Sequence, residues 1–346
     1  MLTLHTDISA IRYNIKAIRE IIGEKSLIAV VKADAYNHGM KTAKYIEDIV
    51  DGYGVNCAEE GIFLRNMGIK KTIKVLGFAE EEWQKASAFN LLPVIGNIDI
   101  LKAVLKKTKR LITDIKIDSG MNRIGLKTEE DMFKLKQLIN QNKDLKVNCF
   151  HTHFAFTDFE NMSIQALKFE KLCAIVDKDI KKSACASGGL NYGKRFLYAE
   201  VRAGISIYGY MPSPNTFLPL SAALSVTAPI LDIKTMNKGD KIGYSGLYKA
   251  NKGDKIGIIR GGYFDGINRD AKGWKVFVNG NETCIVGSVC MDFCFVILNG
   301  IKAKLGDKVL LLSPKNDAEK FAKHCGTIPY EILTQFKGRT QRIYYI

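Results

Sequence analysis

From about residue 12 to residue 225, short apolar runs alternate with segments whose apolar positions recur every three or four residues. The runs are LIAVV, YGVNC, IKVLGF, LPVIG, ITDIKID, VNCFHTHF, KSACAS and AEVRAGISI. Their continuous, partly β-branched character is that of strands buried on both faces in a parallel sheet. Segments such as EEGIFLRNMG and IQALKFEKLCAIVDK lie between most of them and have the spacing of amphipathic helices. Roughly eight strand–helix units in about 210 residues predict an α/β fold, a TIM-like (β/α)8 barrel.

The pattern changes after MPSPNTFLPL, which has three prolines in a short span. From LSVTAPILDI onward the chain reads as short alternating strands with glycine turns (NKGDKIG, ANKGDKIG, VNGNET), including a hairpin at Asn279-Gly280. DAEKFAKHCG has helical spacing, with Gly326 placed as its C-cap. GDKIG occurs twice, which is turn chemistry used twice rather than a repeat architecture. The expected division is a barrel over residues 1–225, its first ten or so residues free to join the second domain, and an antiparallel β domain over 226–346.

Composition narrows the function classes. With 47% apolar residues in 346, there is ample material for two cores. No apolar run approaches the ~18 residues of a membrane span, and the first twenty residues mix charge among apolar positions, unlike a secretory signal. No membrane association is expected, and a cytoplasmic location follows. The eight cysteines show no CxxC pair and no metal-ligand spacing, so neither a disulfide framework nor a metal site is expected. A formal charge of +15 would suit nucleic acid, but the basic residues are spread along the chain. The densest cluster, KKTKR, closes the amphipathic stretch DILKAVLKKTK, where positive charge complements a helix C-terminus. No nucleic-acid partner is expected.

In a barrel of this kind the chemistry sits where each apolar run stops. LIAVV runs directly into Lys32, whose stem would lie in a core and whose amine would reach a site mouth. Burial would lower its pKa from about 10.4 toward neutrality and make it a usable nucleophile or base, although a strand-end lysine can also snorkel to water. Tyr36 brings a hydroxyl toward the same rim, and Asn37, His38 and Gly39 form a polar, glycine-ended loop able to approach an anion. In ITDIKIDSGMNRIGL, Lys116 and Asp118 alternate on one strand face and could form an ordinary ion pair, while glycines flank Arg123. His151 and His153 alternate in CFHTHFAFTD; two histidines at this spacing can ligate metal, but no third ligand is evident. The runs ending at Ser187-Gly188-Gly189 and at Gly204-Ile205 would offer a hydroxyl and backbone amides to a phosphate.

VVKADAYNHG resembles the pyridoxal-phosphate (PLP) attachment motif of the alanine racemase family, departing from it at Asp34 and Asn37. Further strings are similar to that family's motifs: KIDSGMNRIG, THFA, VRAGISIYG, IGYSGLY, GGYFDG and VGSVCMD. They run in order from Lys32 to Asp292 and so cover nearly the whole chain.

The resemblance implies a PLP-dependent amino-acid racemase that interconverts L- and D-alanine by a two-base mechanism and supplies D-alanine for cell-wall peptidoglycan. Lys32 would carry the cofactor as a Schiff base and act as one base. Tyr263, contributed by the other subunit of a homodimer with shared active sites, would be the second; unaided phenols ionise well above neutral pH, so only the motif match makes it a candidate. Tyr36 would contact the phosphate together with Ser187, Gly204 and Ile205, and Arg202 would donate to the pyridine nitrogen. A permanently charged donor keeps that nitrogen unprotonated and disfavours side reactions such as transamination. His153 would hydrogen-bond the catalytic tyrosine. Arg123 would clamp the substrate carboxylate, oriented by Lys116, a residue the family can carbamylate, with the backbone amide of Met291 assisting and Tyr244 narrowing the entrance. Ala186, where the family commonly has asparagine, and GRTQR with Gly338, where it often has a pocket tyrosine, leave a serine or broad-specificity racemase open. A fold-related PLP decarboxylase and a non-catalytic PLP-binding protein are the remaining alternatives.

Overall fold

A computed structural model of the chain describes residues 1–212 and 218–346. The proline-rich stretch MPSPNTFLPL therefore lies partly outside the described residues. The chain forms two units, one of residues 12–35 and 40–220 and the other of residues 1–11, 36–39 and 221–346.

After β1 (Leu2–Asp7) and α1 (Ile8–Ile22) come eight parallel strands: β2 (Ser26–Val30), β3 (Gly52–Val55), β4 (Thr72–Val75), β5 (Leu92–Ile95), β6 (Leu111–Lys116), β7 (Leu145–His151), β8 (Lys181–Ser183) and β9 (Glu200–Ala203). Each of the first six pairs with the next in sequence, and β9 returns to pair with β2. An isolated bridge between Ala186 and Arg202, with the Arg202 N–H donating to Cys185 O at 3.0 Å, joins the last two runs and closes the barrel. All eight expected strands are present.

The helices between them are α2 (Lys32–Asn37), α3 (Thr42–Tyr45), α4 (Ala58–Asn66), α5 (Trp83–Ala88), α6 (Ile98–Lys107), α7 (Glu129–Gln141) and α8 (Phe159–Val176). Ile18, Leu64, Leu101, Leu135 and Phe169 are among the buried side chains of the amphipathic helices, each contributing roughly 2 kcal/mol by leaving water. Side chains start three of these helices: Asn97, Thr128 and Asp158 accept from backbone N–H groups one turn on. No described helix is long and apolar enough to cross a membrane.

Every run reads past the C-terminal end of its strand, two of them furthest. KSACAS is strand only through Ser183, and AEVRAGISI stops at Ala203 because Gly204 leaves extended backbone (φ −114°, ψ −99°) and starts a 3-10 turn over Ile205–Tyr208. Both shortened strands open into turns at the barrel mouth.

The second unit is antiparallel. The twelve-residue β10 (Leu224–Thr235) is followed by the short ribbon β11 (Lys241–Ile242) and β12 (Tyr248–Lys249), then by β13 (Lys255–Arg260), β14 (Lys275–Val278), β15 (Asn281–Val286), β16 (Phe293–Ile297) and β17 (Lys308–Leu312). These pair in the order β13-β16-β15-β14-β17-β10, and β10 also pairs with β13, so the sheet closes on itself. β1 extends it antiparallel to β10, and the terminal β18 (Thr340–Tyr345) runs parallel to β1. The β14–β15 hairpin turns on Asn279-Gly280, both at positive φ, with Val278 facing Asn281. The expected helix is α9 (Ala318–Cys325), capped by Asp317 and by Gly326 in left-handed conformation, and α10 (Pro329–Gln335) follows.

Candidate active site

Lys32 stands at the end of β2, half-buried, and the chain then does something its sequence does not signal. Ala33, Asp34, Ala35, Tyr36 and Asn37 all have φ between 51° and 63°, so α2 is a left-handed helical turn made without glycine. Such backbone costs roughly 1–2 kcal/mol per residue, and what holds it is non-local. The Ala33 N–H donates to Glu60 Oε1 (2.7 Å), and Asp34 Oδ1 accepts from Met40 N–H (2.8 Å). In the second unit, Asn37 Nδ2 donates to the carbonyls of Leu333 and Phe336 (3.0 and 2.7 Å), while Arg342 donates to Asn37 O and Oδ1 (3.1 and 2.9 Å). The expected polar loop is a strained, pinned helix.

At the mouth of the barrel the electrostatics are one-sided. Burial, and then Arg123, hold the Lys32 amine below its ordinary pKa, with Glu60 opposing. Lys116, at the end of β6, is lowered to about 8 by burial, then by Arg123, Arg202 and Lys32. His153, just past β7, is lowered to about 3 by burial and by the same four cations. Lys32, Lys116, Arg123 and Arg202 thus converge around a neutral imidazole, which is a setting for anions.

Asp118 does not pair with Lys116. Its Oδ1 accepts from the N–H groups of Gly120 and Asn122 (2.9 and 3.0 Å), and Leu126 N–H donates to Lys116 O (2.9 Å), folding the SGMNRIG loop that carries the exposed Arg123 back onto the strand. Gly125 is required there: at φ +142° a Cβ would lie 2.6 Å from Asp118 N. His151 and His153 do not share a strand face, because β7 ends at His151, which points into a buried ionic cluster with Asp114.

Arg202 is buried, with Nη1 2.5 Å from Ser183 Oγ and Nη2 bonded to Thr152 O. Beside it, Ser187 Oγ lies 2.9 Å from Ser206 Oγ and accepts from the N–H groups of Gly204 (3.2 Å) and Ser206 (3.3 Å). The Gly204 amide is therefore engaged with Ser187. The Ile205 N–H has no acceptor among the described residues.

Tyr36, Tyr244, Tyr263 and Met291 belong to the second unit. Tyr36 is buried, its ring centroid 6.1 Å from that of Tyr330, and burial raises its hydroxyl pKa. Tyr263 is 44% exposed and opens a 3-10 turn, Tyr263–Asp265. Three backbone bonds tie this turn to the one bearing Met291: Gly261 N–H to Asp292 O (2.9 Å), Tyr263 N–H to Cys290 O (3.0 Å) and Phe264 N–H to Met291 O (3.2 Å). The approach demands glycine at 262, where a Cβ would stand 2.2 Å from the carbonyls of Cys290 and Met291. The Met291 amide has no acceptor among the described residues. Tyr244 is 74% exposed, its carbonyl accepting from Ser288 Oγ (2.7 Å).

The family models for the N-terminal and C-terminal domains of alanine racemase match residues 6–212 and 223–344. The chain is 32% identical over 339 residues to the alanine racemase of Aquifex aeolicus, covering 96% of both chains. It is 36% identical over 336 residues to that of Thermodesulfovibrio yellowstonii, covering 92% of this chain and 89% of the relative. The chain belongs to the alanine racemase family. Among solved structures it is similar to the alanine racemase of Clostridium difficile 630 (TM-score 0.94, 30% identity, 99% of this chain and 95% of that one). It is also similar to the alanine racemase of Bacillus anthracis with bound L-Ala-P (TM-score 0.92, 29% identity, 99% and 94% covered). Members of the alanine racemase family are isomerases that depend on PLP.

The barrel mouth fits an alanine racemase's cofactor in three respects: a half-buried lysine with a lowered pKa, a surplus of fixed positive charge for a phosphate, and hydroxyls with an uncommitted amide at the ends of the last two strands. Sequence reading missed Ser206, although it lies in the same VRAGIS run as Gly204 and Ile205. It also passed over Arg339, which ion-pairs with Asp265 and Asp292 at the turns bearing Tyr263 and Met291, and Lys74, hidden inside IKVLGF.

Proposed function

We propose that the protein interconverts L- and D-alanine with PLP held on Lys32, in a cytoplasmic homodimer whose sites are shared, supplying D-alanine for peptidoglycan. The observation that supports this most is the convergence of Lys32, Lys116, Arg123 and Arg202 on the barrel mouth, with both amines held below their ordinary range. Bound there, PLP would withdraw electron density from the substrate and acidify its α-carbon.

The chain's own groups do the rest. Ser187, Ser206, Tyr36 and the Ile205 amide hold the phosphate, and Arg202 donates to the ring nitrogen. Arg123 takes one side of the substrate carboxylate and the Met291 amide another, fixing which faces of Cα meet the two bases. Lys32 Nζ, neutral in part because it is desolvated, removes or returns the α-proton on one face. Tyr263 Oη, from the partner subunit, does so on the other. His153 stays neutral and acts as a hydrogen-bonding partner rather than a further cation, and Tyr244 narrows the entrance. A Lys116 amine of pKa about 8 is neutral often enough to take up carbon dioxide; the resulting carbamate would orient Arg123.

Purified protein should be yellow, and borohydride reduction followed by peptide mapping should place the adduct on Lys32; another lysine would overturn the assignment. L-alanine in deuterium oxide should yield D-alanine labelled at Cα. Loss of carbon dioxide without inversion would make the protein a decarboxylase, and faster inversion of serine would change the named substrate.

A further inference from the structure

One step below the barrel mouth lies a layer of buried charge that the proposed reaction does not use. Asp114 precedes Lys116 by two residues on β6, and Glu200 precedes Arg202 by two on β9, so each carboxylate sits on the same strand face as the cation above it. Lys74 reaches in from β4. Its Nζ is 2.8 Å from Asp114 Oδ2 and bonds Glu200 Oε2, and His151 Nε2 lies 2.8 Å from the same Asp114 oxygen and 3.5 Å from Glu200 Oε1. Lys74 and Asp114 are 2% and 0% exposed and Glu200 8%, so water screens little of this.

The charges in the layer do not cancel. Burial holds His151 below its ordinary pKa despite Asp114, so the imidazole is neutral, and two carboxylates face one ammonium. One negative charge is left over. Arg202, above it, bonds only the neutral acceptors Ser183 Oγ and Thr152 O and makes no ion pair among the described residues. An uncompensated buried guanidinium would be costly, and so would an uncompensated buried carboxylate. Together they balance.

We infer that Glu200, held in register by Lys74 and Asp114, is a positioning residue that supplies the counter-charge of Arg202 and sets the field Arg202 presents at the barrel mouth. For its functional meaning this rests on the proposed pairing of Arg202 with the cofactor ring; the electrostatic coupling itself does not. A self-contained Lys74–Asp114–Glu200 cluster with no bearing on Arg202 is the alternative.

Thermal melts of the full chain, stripped of any cofactor, separate the two. Glu200→Gln should lower Tm by on the order of 5 °C or more in the wild-type background. In an Arg202→Met background the same change should cost less than half as much, and Lys74→Met should cost more than it does alone. Equal costs of Glu200→Gln in both backgrounds would overturn the inference. Should Glu200→Gln not fold, Lys74→Met carries the test alone: it should cost more with Met at 202 than with Arg202, and equal costs in the two backgrounds would overturn the inference. With PLP added, Glu200→Gln should shift the absorption band of the bound cofactor while Glu200→Asp leaves it in place; a band unmoved in both means that Glu200 has no effect on the field at the mouth, again overturning the inference. A wild-type chain that binds no PLP would defeat the proposed function but leave the melting test intact.

Discussion

Arg339 grips Asp265 in a fork: Nε donates to Oδ1 at 3.1 Å and Nη2 to Oδ2 at 3.0 Å, while the same Nη2 reaches Asp292 Oδ1 at 2.6 Å. Its guanidinium also lies 4.9 Å from the centre of the Phe264 ring. One side chain therefore joins the turn carrying Tyr263 to the turn carrying Met291. Arg339→Gln should lower kcat by roughly tenfold to a hundredfold through misplacement of these groups, with little change in cofactor retention. Arg339→Lys, which keeps charge but loses the fork, should recover only part of the rate. Steady-state kinetics in both directions measures this; wild-type rates in Arg339→Gln would show that backbone bonding alone holds the turns.

The left-handed α2 inverts an ordinary rule. In a right-handed helix Ala→Gly costs up to ~1 kcal/mol, but at φ +54° the exposed Ala33 has a Cβ that the backbone disfavours. Ala33→Gly keeps the N–H that donates to Glu60 and should raise stability by up to about 1 kcal/mol, read as an increase in Tm. A fall in Tm would mean that the left-handed turn is not strained at this position.

His153 predicts an acid limb in stability. Its folded pKa of about 3 lies below its ordinary 6.5, so between those values the unfolded chain binds a proton that the folded chain refuses. Stability is therefore unaffected above pH ~6.5 and falls as pH drops toward ~3, by up to a few kcal/mol. His153→Gln removes that group, and its Tm should fall less between pH 7 and pH 5 than the wild type's. Parallel curves for the two proteins would assign the acid limb to other groups.

Mixed dimers test the shared site. Lys32→Ala and Tyr263→Ala proteins should each be nearly inactive, because every site lacks one base. If each site draws Lys32 and Tyr263 from different chains, a mixed dimer has one intact site of two. Random exchange makes about half the dimers mixed, so activity should recover to roughly a quarter of wild type. Absence of recovery, once subunit exchange is demonstrated, would place both residues in the same chain's site.

Much of this protein could be read from short-range patterns. Each of the eight barrel strands overlaps the run that marks it, because a strand buried on both faces is largely apolar wherever it lies in the chain. The Asn279-Gly280 hairpin and the ends of α9 are equally local: a two-residue loop with both φ values positive, and caps at Asp317 and Gly326 that need only the residues beside them. The family was legible for a similar reason, since the strings from Lys32 to Met291 that carry the resemblance are each short and of characteristic spacing. What only the tertiary structure decided depends on partners far away in sequence. The KADAYN segment contains no glycine to announce five left-handed residues, and its conformation is held by Glu60 and, through Asn37, by Leu333, Phe336 and Arg342, the latter three some 300 positions on. Lys74, Asp114, His151 and Glu200 come from four different strands, and only closing the barrel makes them a layer; Arg339 and Asp265 meet because β18 ends the sheet that β13 helps to close. Propensity and periodicity act over a few residues, whereas pairing a buried charge or holding a strained backbone needs groups that the chain brings together only on folding.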